Sequence, residues 1–82
     1  MGANSFSLNR GAMTPDLHQA EAKRQMMALA SKVILLCDSS KIGKVSFAQF
    51  ARLDQLNVLF TDAIGKSEQH RLEKLGVEVV SV

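Results

Sequence analysis

Tryptophan and tyrosine are absent from these 82 residues, and four phenylalanines are the only aromatics. A core built here must rest on Leu, Val, Ile, Met and Ala. One cysteine excludes an intrachain disulfide and fits a reducing, cytoplasmic setting. The longest apolar run, residues 33–37, is far below the ~20 residues that cross a bilayer, so no membrane partner is expected. The start lacks a basic segment followed by an apolar one, which argues against a signal peptide. The formal charge is only +2, with Lys and Arg scattered, too little to form a nucleic-acid surface. His18 and His70 stand far apart, with no Cys or carboxylate at metal-ligand spacing, so neither a metal site nor a cofactor is expected. No Ser-His-Asp order, ATPase-type phosphate loop or Gly-x-Gly-x-x-Gly occurs.

What is present reads as one α/β unit. Residues 2–15 are rich in Gly, Ser and Asn and read as loop. Thr14, Pro15 and Asp16 signal a helix start, with two competing registers. Thr14 can cap with Pro15 at the first helical position, or Asp16 can cap with Gln19 completing a capping box. The second is preferred, with the helix running to about residue 31. Ala22, Met26, Leu29, Ala30 and Val33 form one apolar stripe along it, widened by Leu17, Ala20 and Met27. Glu21 and Arg24 lie on the polar face at i,i+3 spacing.

Residues 33–37 read as a strand buried on both faces. Residues 45–52 read as a short extended piece, 53–56 as a single turn and 57–62 as a second buried strand. Ser67 is a good N-cap for a second helix with Leu72 and Leu75 inward, and Gly76 sits where a helix stops. Residues 77–82 alternate and form a third strand. The expected fold is therefore α/β, a partial parallel sheet of about three strands with two main helices: a loop over 1–15 and an α/β core over 16–82. Three strands and two helices cannot cover both faces of a parallel sheet. The chain thus reads as the carboxyl-terminal part of a larger domain, one that pairs with another chain or is marginal alone.

Chemistry concentrates where the first buried strand ends, in Asp38, Ser39, Ser40, Lys41 and Gly43. Ligands of open α/β sheets bind at such carboxyl ends. Lys41 is a mobile point charge suited to a phosphate, or else a solvated surface lysine. Backbone N–H groups near residues 40–43 add anion donors if the turn forms a nest. Asp38 either accepts hydrogen bonds from sugar hydroxyls or caps the following turn, and the cap is favoured. Ser39 and Ser40 are similarly ambiguous, and Gly43 is most simply a turn residue. Cys37, beside an acid, reads as a small core residue rather than a thiolate.

Several stretches match a known family in order and spacing across nearly the whole chain. They are Gly2-Ala3, Gly11-Ala12-Met13-Thr14-Pro15, Glu21-Ala22-Lys23-Arg24, the run from Leu35 to Lys44 containing Cys37-Asp38-Ser39-Ser40-Lys41, and Leu59-Phe60-Thr61-Asp62. On these residues the chain resembles the effector-binding domain of the DeoR-type bacterial repressors of sugar metabolism. The resemblance implies a ribose-5-phosphate-isomerase-like fold that binds a phosphorylated sugar and oligomerises. It also implies operator DNA binding through an amino-terminal helix-turn-helix that these residues do not contain. In the isomerase-like fold the region of Glu21 lies near the sugar, where a glutamate serves as a base. The expected effector set is Lys41, Ser40, Asp38, Gly43 and Glu21, in a sensor and not an enzyme. An isomerase-like enzyme and a structural remnant are the rivals.

Overall fold

Two apolar runs and one alternating run pair in register to make the central sheet of the computed structural model, which describes residues 1–82. Strands β3 (Ile34–Leu36), β5 (Val58–Thr61) and β6 (Glu78–Ser81) are parallel, in the order β3-β5-β6. Leu35 stands beside Leu59, and Leu59 beside Val79. The expected α/β class, the three-stranded parallel sheet and the two helices are all present.

Residues 2–15 are not a loop. Strands β1 (Ser5–Ser7) and β2 (Gly11–Thr14) form an antiparallel hairpin, and β4 (Ala48–Ala51) adds to β2, giving a second sheet ordered β1-β2-β4. Residues 8–10 close the hairpin, with Gly11 at φ 76 directly after them. A glycine in the left-handed region commonly ends such a three-residue loop. A side chain there would also collide with the Ala51 carbonyl. Opposite β2, the pairing steps from Ala51 to Gln49, so Phe50 forms a bulge. The bulge turns Phe50 into the core, where it is 2% exposed. Local composition misses this sheet because its Ser and Gly residues are buried only when β2 pairs with both β1 and the distant β4.

Helix α1 (Leu17–Leu29) begins as the Asp16 register requires, with the Asp16 carboxylate accepting from the His18 N–H at 2.8 Å. Gln19 completes no box; it lies 2.9 Å from the Thr14 hydroxyl. The buried face is also not the expected stripe. Ala20 is fully buried, and Lys23 and Met27 are half-buried against β2 and β4. Ala22 and Ala30 are exposed, Met26 is 54% exposed and Leu29 90%. The helix carries two apolar faces, and the one holding small Ala20 fits closest to the sheet.

Helix α2 (Lys66–Lys74) is capped by Gly65 rather than Ser67. Ile64 packs on the core directly before it, and the helix starts two residues earlier than expected. Its other end closes with two bonds, Val77 N–H to Leu72 C=O at 3.0 Å and Gly76 N–H to Glu73 C=O at 3.1 Å. With Gly76 at φ 89 this is a Schellman motif, and its usual hydrophobic contact is the buried pair Leu72 and Val77.

One core lies between the two sheets. Phe6, Phe50, Leu35, Leu59 and Leu72 share it with Ala20 and Cys37. The opposite face of the parallel sheet is covered at Val58, 4% exposed, but open along β3, which is buried on one side only. Ile34 is 39% and Leu36 55% exposed, and Phe60 and Val80 are half-buried. No helix is long and apolar enough to cross a membrane.

Gly11 and Gly43 both have positive φ, but only Gly11 faces backbone at contact distance. Gly43→Ala should lower unfolding free energy by about 1–2 kcal/mol, the ordinary left-handed penalty. Gly11→Ala should cost clearly more, because the Ala51 carbonyl must move. Urea titration followed by circular dichroism measures the difference.

Candidate functional site

Parallel pairing that aligns Leu36 with Phe60 carries Asp38 and Asp62 to the same end of the sheet. Asp38 opens a single 3-10 turn, Ser39–Lys41. Its carboxylate does not cap that turn. Asp62 does the work instead, accepting from the Ser39 N–H at 2.6 Å and from the Ser39 hydroxyl at 2.9 Å. An acid on the neighbouring strand reaches the free N–H more directly than the turn's own first residue. Asp38 is thereby left exposed and unengaged.

The loop's own amides are largely consumed. Lys41 N–H donates to Asp38 C=O at 2.8 Å, Ile42 N–H to Ser39 C=O at 3.2 Å, and Gly43 N–H to Phe6 C=O. No anion nest forms, and the groups left to meet a ligand are the Lys41 ammonium, Ser40 and Asp38. Gly43, at φ 88, is a turn residue that ties the loop to β1. Glu21 lies on α1 and is engaged elsewhere. Arg24 donates to it at 2.9 Å and spans to the Gln49 carbonyl at 2.8 Å. The structure thus gathers Asp38, Ser40, Lys41 and Gly43 in one loop and places Glu21 in a separate ion pair.

Two further groups join the carboxyl end. Asp62 is signalled in the sequence by the matching endings of two apolar runs, Cys37-Asp38 and Thr61-Asp62, once these are paired. Lys23 has no such signal. Its ammonium donates to the Gly2 carbonyl at 2.8 Å and sits 4.7 Å from the centre of the Phe50 ring. Gly2 bridges to Leu36 beside β3, so Lys23 is pinned near the same strand end. Neither Lys23 nor Lys41 has a carboxylate partner; the ion pairs are Arg24 with Glu21 and Arg52 with Asp54.

Asp38, Lys41 and Asp62 all act on the buried Cys37 thiol. Burial pushes the Cys37 thiol up, Asp38 and Asp62 push it further, and Lys41 partly opposes them. Cys37 is 4% exposed and its thiol faces the Asp38 carbonyl at 3.7 Å, so it is a core residue. Beside it an open depression of about 470 Å³ is lined by Leu36, Asp38, Phe60, Asp62 and Val82. A larger groove, about 530 Å³, lies at the amino end of β3 and β5, with Arg24 and Arg52 on its rim. Both guanidiniums there already hold carboxylates, so the carboxyl end, with its unpaired cations, is the better candidate.

The Ser39 N–H, then its hydroxyl, hold the Asp62 carboxyl below its ordinary value near 3.8. A carboxyl depressed in the folded state stabilises above its unfolded pKa, and that contribution is lost as pH falls through the lower folded value. Asp62 titrated by NMR should therefore ionise below 3.8, and Ser39→Ala should move it part of the way back, because the backbone donor remains. An unchanged titration in Ser39→Ala would show that the hydroxyl is not a partner.

Over residues 1–63 the chain matches the family described as the DeoR C terminal sensor domain. It is similar to the HTH-type transcriptional regulator GlpR of Haloferax volcanii, 36% identical over 81 residues, covering 98% of this chain and 32% of that protein. It is 32% identical over 80 residues to the uncharacterized HTH-type transcriptional regulator FruR of Bacillus subtilis, covering 98% of this chain and 32% of that protein. With the HTH-type transcriptional regulator UlaR of Shigella dysenteriae it shares 34% identity over 73 residues, 88% of this chain and 29% of that protein. The chain spans about a third of the length of these relatives. The matched residues carry the hairpin, α1, the strand-end loop and β5, and on them this chain belongs to the DeoR C-terminal sensor domain family.

Proposed function

We propose that this chain is the sugar-phosphate-sensing segment of a cytoplasmic DeoR-family regulator of carbohydrate metabolism. One observation carries the reading: an ammonium without a carboxylate partner, Lys41, stands at the carboxyl end of a parallel sheet beside an unengaged carboxylate, Asp38. Lys41 takes the phosphate, while Asp38 and Ser40 accept and donate hydrogen bonds to sugar hydroxyls. Gly43 shapes the loop. Lys23 supplies a second positive charge from the edge of β3. Glu21 is the weakest member, because Arg24 already holds its carboxylate. For the same reason a retained isomerase activity is disfavoured: general acid–base catalysis needs a free positioned base. Operator DNA would be contacted by a helix-turn-helix outside these residues; the relatives GlpR and UlaR are named HTH-type transcriptional regulators.

The test is a titration of the isotope-labelled chain with phosphorylated trioses, pentoses and hexoses, followed by NMR. At least one should shift the Ser40, Lys41 and Asp38 resonances saturably, and its unphosphorylated sugar should not. Lys41→Ala should weaken that binding at least about tenfold, and Lys23→Ala should weaken it less. The reading fails if no phosphorylated sugar shifts these resonances beyond inorganic phosphate, or if Lys41→Ala binds as well as the parent chain.

A further inference from the structure

The groove at the amino end of β3 and β5 has polar groups whose orientation the fold decides. The Gln55 side-chain oxygen accepts from the Arg52 N–H at 2.8 Å, and the Asn57 side-chain oxygen accepts from the Val33 N–H at 2.6 Å. Only the oxygen of a carboxamide can meet a backbone N–H, so these bonds fix which end of each amide is nitrogen. Both NH2 groups are left without a partner, on two residues that line the same groove. Arg52 adds further donors: its Nε holds Asp54 at 3.1 Å, while its two terminal nitrogens bond to nothing. Arg24, on the same rim, is committed through both terminal nitrogens to Glu21 and the Gln49 carbonyl.

Between these donors the wall is apolar. Val33 and Phe50 are buried, and Met27 is half-buried beside them. The volume, about 530 Å³, lies within the ~300–1,000 Å³ of small-molecule pockets, which pair an apolar lining with a few fixed polar groups. The three unpaired groups are all donors, and one is cationic, so they call for an anionic acceptor. A phosphate dianion is poorly served, because Glu21 and Asp54 already stand on the two guanidiniums. A carboxylate brings one charge and two in-plane oxygens, which suits planar N–H donors.

We propose that this groove is a second binding site, for a small organic monocarboxylate with an apolar body. The carboxylate sits on Asn57, Gln55 and Arg52, and the body lies against Met27, Val33 and Phe50. All three donors are on exposed residues, so dissociation constants of about millimolar are expected. The site shares no residue with the strand-end loop, and it stands whether or not the chain senses a sugar phosphate.

The probes are benzoate and hexanoate, with benzamide and hexanol as their neutral counterparts, titrated into the isotope-labelled chain and followed by NMR. At least one carboxylate should saturably shift the Asn57 and Gln55 side-chain NH2 signals, with Asp38, Ser40 and Lys41 unmoved. Its neutral counterpart should bind at least about tenfold more weakly. Asn57→Asp and Gln55→Glu each keep the oxygen that accepts the backbone N–H and turn the donor into a second acceptor. Each should leave the urea midpoint nearly unchanged and weaken carboxylate binding at least about tenfold. Arg52→Gln, which disturbs no backbone N–H, should weaken the carboxylate and spare the neutral compound, and it carries the test if either amide variant fails to fold. Three results overturn the proposal: neither carboxylate shifts the groove signals saturably, the neutral compound binds as tightly as its carboxylate, or the folded variants bind like the parent.

Discussion

Leu35 and Leu59 stand side by side on adjacent parallel strands, both fully buried, and belong to the one core that the two sheets and both helices share. Above them lie Phe6 and Phe50 from the antiparallel sheet, and Leu72 from α2. A single core shared by two sheets and two helices leaves no element with a core of its own. Truncating either leucine would open a cavity with no second layer to collapse onto it, a loss of about 2–5 kcal/mol in a buried site. The same register that aligns the leucines aligns Asp38 with Asp62. Packing in the centre of the sheet therefore sets the chemistry at its end.

That chemistry is a balance of charges. Burial raises the Cys37 thiol first, and of the charges around it Asp38 and Asp62 add to that while Lys41 opposes them. Asp62 is occupied: it organises the turn through Ser39 and so fixes where Lys41 emerges. Asp38, freed from capping, is left to face solvent. Lys23, held over Phe50 and tied to Gly2 beside β3, adds a second cation without a carboxylate partner. The bulge in β4 that buries Phe50 is thus part of the same arrangement, since it supplies the ring beneath that lysine.

Much of this is legible in the residues. Asp16 as cap, the turn at Leu53–Gln55, the two helices and all three parallel strands follow from local pattern. Gly76 is legible as a helix stop because its positive φ serves a local motif. Three features are not. The hairpin at residues 5–14 looks like loop, since its Ser and Gly residues are buried only once β1, β2 and β4 pair. The apolar stripe of α1 is a true periodicity, yet the helix buries its other face, where Ala20 allows close approach. Lys23 looks like any helix lysine, and only the fold brings Gly2 and Phe50 to it.

By itself the sequence determined the α/β class, the order of the elements from α1 onward, the polar loop from Asp38 to Gly43 and the family it shares with DeoR sensor domains. These depend on spacing within some ten residues, or on motifs that survive without knowledge of contacts. The tertiary structure alone decided that Asp62 rather than Asp38 holds the turn, that Arg24 also reaches the Gln49 carbonyl, that Lys23 joins the strand end and which face of the sheet lies open. Each of these is a relation between residues distant along the chain or a choice between two faces of one element. Burial and hydrogen-bond geometry settle such choices only when the whole chain is packed.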